Sequence, residues 1–328
     1  MKYTYPLLFL GCAPAHKRII PDAIGMMILL KRIPLVLRNA FILLRKNDPL
    51  ILASATAFFA TFSLSPIIVI LVSTLSLYFK SENIRRQLFS KLETTLGHQT
   101  TGEIEKIVHN FMSLESNWWI TIGGFVFLLF VATTLLGIVR KAIHQVWHFK
   151  RKSSVKIRYS VKERLIGMAM LIIIGVLFLI SLLLDTSVAI FRDYLQDLIP
   201  GVNAAVIRLI NIIFSILVVT TWFTILFKVL PEARVSWKVA FAGGLVTGLL
   251  FSVGKFVLGL LLVESSLETI FGASASIALL LLFIFYSSLI MYYGAAFTYA
   301  FGKLINEPIR AGKYADEYEE RTIEHRKQ

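Results

Sequence analysis

Few residues in this chain have chemistry beyond packing, and those that do stand within or beside long apolar runs: Asp185, Arg208, Lys255, Glu264 and Glu268. Lys255 lies inside Ala240 to Val263, a run with five glycines and no other charge. At about 100° per residue, Gly244, Gly248, Lys255 and Gly259 fall within roughly 60° of one another on a helix. Small residues four apart let a second helix backbone approach closely, so this stripe reads as a packing face that points Lys255 into protein. A cation there costs about 3 kcal/mol unless it meets a partner or water, which makes it a candidate for an ion pair or a substrate or proton pathway. Two plainer readings stay open: the stem snorkels toward the outer surface, or the ammonium wets a crevice. Glu264, nine residues on, lies about 180° around the helix and cannot be the partner on that face. Asp185 is the expected partner, with Arg208 a third member of the pathway set.

The elements that must position these groups are set by composition. The 328 residues are 56% hydrophobic and the mean hydropathy is +0.73, which excludes an ordinary water-soluble globule. A net charge of +14 would suggest nucleic acid in a soluble protein; in a membrane protein the placement of the charges matters more than their sum. Cys12 is the single cysteine, so neither an internal disulfide nor a cysteine metal cluster can form. Phe9-Leu10-Gly11-Cys12 resembles a lipoprotein signal, but the apolar run before it is too short and export would carry the basic segment that follows to the wrong side.

Six apolar runs predict six spans. Pro49 to Phe79 is uncharged for 31 residues, with Pro66 predicting a kink and the stretch from Ala53 to Ser65 small enough to face other helices. The others are Trp118 to Val139, Leu165 to Leu184, Leu209 to Phe227, Ala240 to Val263, and a sixth beginning near Ser274 and ending by Gly302. Before them, residues 1–48 read as basic surface helices interrupted at Pro34, held by anionic headgroups. Residues 80–117 read as a pair of amphipathic helices capping one side, and 303–328 as a solvated helical tail. Segments 1–49, 140–164, 228–238 and 303–328 hold 26 of the 34 Lys and Arg, so both termini are expected in the cytoplasm. Three spans in each half, with Trp119 before Gly123-Gly124 echoed by Trp237 before Gly243-Gly244, leaves open an inverted repeat, although the first and fourth runs differ in length.

Other chemistry is weakly signalled. No GxxxxGK[ST] loop follows a strand, so a nucleotide-driven pump is not expected. His144 and His148 share a helix face but have no third ligand nearby. The basic segment 140–164, with Trp147, Phe149 and Tyr159 interleaved, could contact RNA; a cytoplasmic loop explains it with fewer assumptions, and neither a Ser/His/Asp set nor a nuclease-type acidic cluster is present. No cofactor is implied.

The order of features resembles the YihY/BrkB family of bacterial inner-membrane proteins, once labelled ribonuclease BN. The resemblance rests on Ala55-Thr-Ala-Phe-Phe-Ala-Thr-Phe-Ser-Leu-Ser-Pro66, on Leu230-Pro-Glu-Ala-Arg-Val-Ser-Trp237, on Gly254-Lys255, and on Phe271-Gly-Ala273 with Tyr293-Gly-Ala295. It spans roughly residues 30 to 305. It departs from the family pattern at Phe271, where Tyr is usual, and at Ala296, where Glu is usual. The resemblance implies six spans with both ends inside, export of lipids or lipid-linked glycans, and a ribonuclease label that is a misassignment. The expectation is thus an all-α polytopic bundle of six transmembrane helices, N and C termini cytoplasmic, in a bacterial inner membrane. It would carry a lipid, a lipid-linked glycan or a polar solute, with the small faces of the first and fifth spans lining the route. Its partners would be membrane lipids, with no nucleic acid expected and an oligomer left open. A scaffold or envelope-assembly factor that recruits partners through segment 140–164 is the alternative, and a ribonuclease the remote one.

Overall fold

The computed structural model describes residues 22–78, 118–152, 165–170, 172–173, 176–177, 204–264, 275–312 and 315–318, with scattered helical positions between 86 and 109. Among them, six long helices carry the fold: α1 (Asp22–Lys46), α2 (Pro49–Tyr78), α3 (Trp118–Val146), α4 (Ala204–Val229), α5 (Trp237–Glu264) and α6 (Ala275–Leu304). At about 1.5 Å per residue, the five from α2 onward each reach roughly 40 Å. Among the described residues, Ile212–Val229, Trp237–Val257 and Leu280–Leu304 are long and apolar enough to cross a membrane, and Pro49–Ser63 is a shorter apolar stretch. The chain is therefore a helical membrane protein.

Helix ends follow local chemistry. Proline needs no amide donor at a first turn, and Pro49 opens α2 directly after Asp48, whose carbonyl accepts from the amides of Ile51 and Leu52. The chain then reverses through left-handed residues: Asp48 (φ 45°), His148 (φ 59°), Glu232 (φ 49°) and Asn306 (φ 58°). Each lies just past or between helices, where a single αL residue breaks the helical ladder. α2 continues as one helix through Pro66 to Tyr78, although Pro66 has no amide to donate to the Phe62 carbonyl.

The bundle is organised around α6, which packs against α5, α2, α1 and α3. Tyr292, Ala295 and Ala296 near its middle are fully buried. α5, the lysine-bearing run, is less central, because it presents Phe241, Leu245, Leu249, Val253 and Phe256 outward. α1 is one continuous helix through Pro34, and the i, i+4 set Val36, Ala40 and Leu44 is buried in the core, with Tyr293 donating to the Leu37 carbonyl at 3.1 Å. It is an integral part of the bundle, docked on α6, where separate surface helices were expected.

The tail is also different from the expected helix. After α6 it turns at Asn306, bridges to the α4–α5 turn through Arg310 and Arg234, and forms β2 (Ala315–Glu317), antiparallel to β1 (Phe149–Arg151), with Lys150 opposite Asp316. The backbone amide of Tyr318 donates to the His148 carbonyl at 2.9 Å. The His148 ring stacks on both Tyr299 and Tyr318. This small sheet corrects a strictly all-α reading and gathers the end of α3, the α4–α5 turn and the tail at one end of the bundle. Residues 86, 89, 90, 93, 101, 102, 105, 106 and 109 are helical; the rest of 80–117, where the pair of amphipathic helices is expected, and the tail from 319 lie outside the described residues.

Candidate functional site

A cavity of about 480 Å³ opens between α2, α3, α4, α5 and α6. Its wall is apolar and aromatic, with Trp222 and Phe223 from α4, Phe251 from α5, Phe283 and Met291 from α6, and Leu136 from α3. Three hydroxyl residues, Thr56, Ser287 and Ser288, interrupt it. Each is internally satisfied: Thr56 donates to the Leu52 carbonyl at 2.9 Å, Ser287 to Phe283 at 2.6 Å and Ser288 to Ile284 at 2.8 Å. Donors spent one helical turn back within their own helix leave a wall that offers little to a polar guest. Thr56 also shares a 2.5 Å hydrogen bond with the buried Tyr292 hydroxyl, fixing α2 to α6 beside the cavity. On α5 and α6, Phe251, Phe283 and Tyr286 form a contiguous aromatic group, with Phe283 and Tyr286 edge to face at 5.4 Å.

The glycine face of α5 is closed. A Cβ on Gly244 would stand 2.8 Å from the Thr220 carbonyl oxygen and the Thr224 amide nitrogen of α4, and one on Gly248 would stand 2.6 Å from the Thr220 hydroxyl. Gly243 is pressed against Thr298 of α6, and Gly254 against the Tyr286 ring. Around Gly244 and Gly248 this face binds helix to helix; among the described residues of α5, Phe251 reaches the cavity. On α2, by contrast, Thr56 and Ala60 do line it. Gly123 on α3 has nothing within 4 Å of its Cβ direction, so the echo between Trp119-Gly123 and Trp237-Gly243 does not extend to packing.

Lys255 is exposed, which corrects the inward orientation expected from the stripe. Helical spacing places it on the same face as Gly244, but α4 covers that face only around Gly244 and Gly248, and beyond it Ile212 and Ile213 of α4 are themselves half exposed. Among the described residues no carboxylate lies within ion-pair distance of it. Asp185 lies outside the described residues; Arg208 and Gly259 belong to α4 and α5, and their side chains, like that of Pro66 in α2, fall outside the description. Glu268 and Phe271 to Ala273 lie outside it as well.

The histidine pair is structural. The His144 Nε2 sits 2.5 Å from the Pro231 carbonyl oxygen, tying the end of α3 to the α4–α5 turn, while His148 turns away into its tyrosine stack. Among the described residues no group of three His, Cys, Asp or Glu could hold a metal ion. In the basic segment Arg140 and Trp147 are buried, and the Trp147 indole donates to the Ala295 carbonyl at 2.8 Å. These two are core residues of α3 and its end, where the sequence suggests a solvated loop. Sequence reasoning did not reach Trp222, Phe251, Ser287 or Ser288 as cavity residues; each lies in an apolar run whose periodicity is too even to mark an inner face.

The comparisons with known proteins fit this architecture. The family model for virulence factor BrkB matches residues 44–318. The chain is 25% identical over 218 residues to a UPF0761 membrane protein of Idiomarina loihiensis, covering 66% of this chain and 72% of that one. It is 26% identical over 248 residues to a UPF0761 membrane protein of Pseudomonas paraeruginosa, covering 74% of this chain and 57% of that protein, so it spans little more than half of the longer relative. A UPF0761 membrane protein of Alteromonas mediterranea is 26% identical over 262 residues, 79% of this chain and 85% of the other. No solved structure matches the chain. A match over residues 44–318 takes in α2 to α6 and the paired strands, and by it this chain belongs to the virulence factor BrkB family of membrane proteins.

Proposed function

We propose that the protein binds a lipid or lipid-linked glycan in the cavity and moves it across a bacterial inner membrane without nucleotide hydrolysis. The carrying observation is the cavity wall: about 480 Å³, within the usual range for ligand pockets, with its three hydroxyl residues satisfied inside their own helices. Such a wall suits acyl or prenyl chains and disfavours a polar solute, whose hydrogen bonds it would leave unmade. Six spans with both termini cytoplasmic accompany this reading, supported by the 26 of 34 basic residues on one set of segments. The protein acts as a carrier and not an enzyme, with no cofactor and no nucleic-acid partner.

The test is reconstitution of the full chain into liposomes carrying a headgroup-labelled fluorescent phospholipid, with accessibility to a membrane-impermeant quencher as readout. The protein is expected to raise the rate of lipid exchange between leaflets at least tenfold over empty liposomes. Ala60→Trp, which fills the cavity from α2, is expected to abolish the increase while leaving the protein folded. Exchange at the empty-liposome rate, or an Ala60→Trp protein as active as the original, would overturn the reading and favour a scaffold acting through segment 140–164.

A further inference from the structure

The exposed cation beside the cavity gives that reading a substrate class. Phe251 lines the cavity, and Lys255 stands one helical turn further along α5 on nearly the same side. Between them in sequence, Gly254 is pressed against the Tyr286 ring, so α5 and α6 touch there. The next residue, Lys255, is exposed at the edge of that contact, on the side of α5 that carries Phe251, while exposed Val253 and Val257 stand about 160° around the helix from it. Among the described residues Lys255 is the one positive charge on this stretch of α5. The lysine is roughly 13 Å of helix from Glu264 at the end of α5, and Glu264 lies on the opposite side. Its flexible stem reaches from the hydrocarbon toward the headgroup level, where the natural counter-charge is a phosphate.

We infer that the cavity and Lys255 together form a site for an anionic phospholipid, with an acyl chain against Trp222, Phe251 and Phe283 and the headgroup phosphate on the Lys255 ammonium. The inference rests on the lipid reading of the cavity and adds the residue that selects the headgroup. Two features of the site agree: the cavity supplies apolar surface without free donors, and the cation has no carboxylate partner among the described residues to compete with a phosphate. An exposed lysine in a membrane-spanning helix is costly in hydrocarbon, and a bound phosphate offsets that cost.

Native mass spectrometry of the full-length protein, delipidated and titrated with phosphatidylglycerol or phosphatidylcholine of identical chains, tests this. The wild-type protein is expected to bind phosphatidylglycerol about fivefold more tightly, the effect of one lysine at a membrane surface. Lys255→Met is expected to bind both lipids equally, at the phosphatidylcholine level, and Lys255→Arg to restore the preference. Thermal unfolding of the three proteins checks that all are folded. A preference that survives in Lys255→Met overturns the inference. Equal binding of both lipids by the wild type overturns it too, yet leaves the cavity as a chain site; failure to bind either lipid overturns both readings. Inorganic phosphate added in excess is expected to leave the preference intact, because the chain holds the headgroup in place. Its loss would make Lys255 a small-anion site and overturn the proposal.

Discussion

Gly294 of α6 lies against Thr247 of α5, and one turn away on each helix the relation is reversed, with Thr298 of α6 against Gly243 of α5. Each helix thus contributes a glycine and a threonine four residues apart, and the threonine of one fills the notch left by the glycine of the other. Both hydroxyls are spent within their own helices, Thr247 on the Gly243 carbonyl and Thr298 on the Gly294 carbonyl, each at 2.6 Å. The crossing therefore gains close backbone approach without leaving a buried donor unpaired.

Adding a methyl at Gly294 would meet the Thr247 hydroxyl, its Cβ at 2.9 Å and the Phe227 ring at 3.2 Å. Gly294→Ala is expected to destabilise the protein by about 1–3 kcal/mol through overpacking. Thr247→Ala in the same protein should recover part of that loss, since it removes the hydroxyl that the methyl strikes. Gly123→Ala, at a site open to 4 Å, should leave stability unchanged or raise it by up to about 1 kcal/mol from helix propensity. Reversible unfolding in mixed micelles measures all three. A harmless Gly294→Ala would show that the helices can part there.

Tyr292 and Thr56 join α6 to α2 at 2.5 Å, both side chains buried. Removal of the phenol hydroxyl in Tyr292→Phe is expected to cost about 0.5–1.5 kcal/mol, since Thr56 retains its bond to the Leu52 carbonyl. A double-mutant cycle with Thr56→Val should give an interaction energy of at least about 0.5 kcal/mol. Additive single effects would mean that the two hydroxyls do not depend on one another.

Lys255→Met tests whether the lysine supports the fold. With no carboxylate partner among the described residues, replacement by an apolar side chain of similar length is expected to hold or raise stability. A loss of about 3 kcal/mol or more, the cost of breaking a buried ion pair, would reveal a partner outside the described residues, with Asp185 the first to examine.

The sequence made helices legible where charge and proline punctuate it. The uncharged run from Pro49 to Phe79 became Pro49–Tyr78, and the run from Ala240 to Val263 became the inner part of Trp237–Glu264. It could also show that Gly244 and Gly248 share a face suited to close approach. It could not show that Thr220 and Thr224 meet them, nor that α4 stops covering that face before Lys255, because spacing along one helix carries no information about its neighbours. The strand pair failed for a related reason. Phe149–Arg151 and Ala315–Glu317 are three residues each, too short for a period-2 pattern, and only their pairing across the whole membrane domain makes them strands. The cavity was illegible because its lining comes from α2 to α6 and from Leu177 outside them, all in uniformly apolar runs, and what distinguishes the wall is where those helices diverge.

The strand pair also gives a direct route to orientation. Lys152 lies 3.1 Å from Asp316 with both side chains well exposed, a pair worth at most about 1 kcal/mol and so of little consequence for stability. Its value is geometric, because it requires residues 152 and 316 to stand on one side of the membrane, and the Arg234–Arg310 bridge brings the α4–α5 turn to the same side. In a Cys12→Ser background, Lys152→Cys, Arg234→Cys and Asp316→Cys are each expected to resist a membrane-impermeant thiol reagent in intact spheroplasts and to react fully after lysis. All three should behave alike, because the backbone pairings hold them together whichever way the protein is inserted. Common labelling before lysis would keep the fold and reverse the orientation, placing the basic segments outside against the positive-inside bias. Labelling of one position without the others would break the pairing itself.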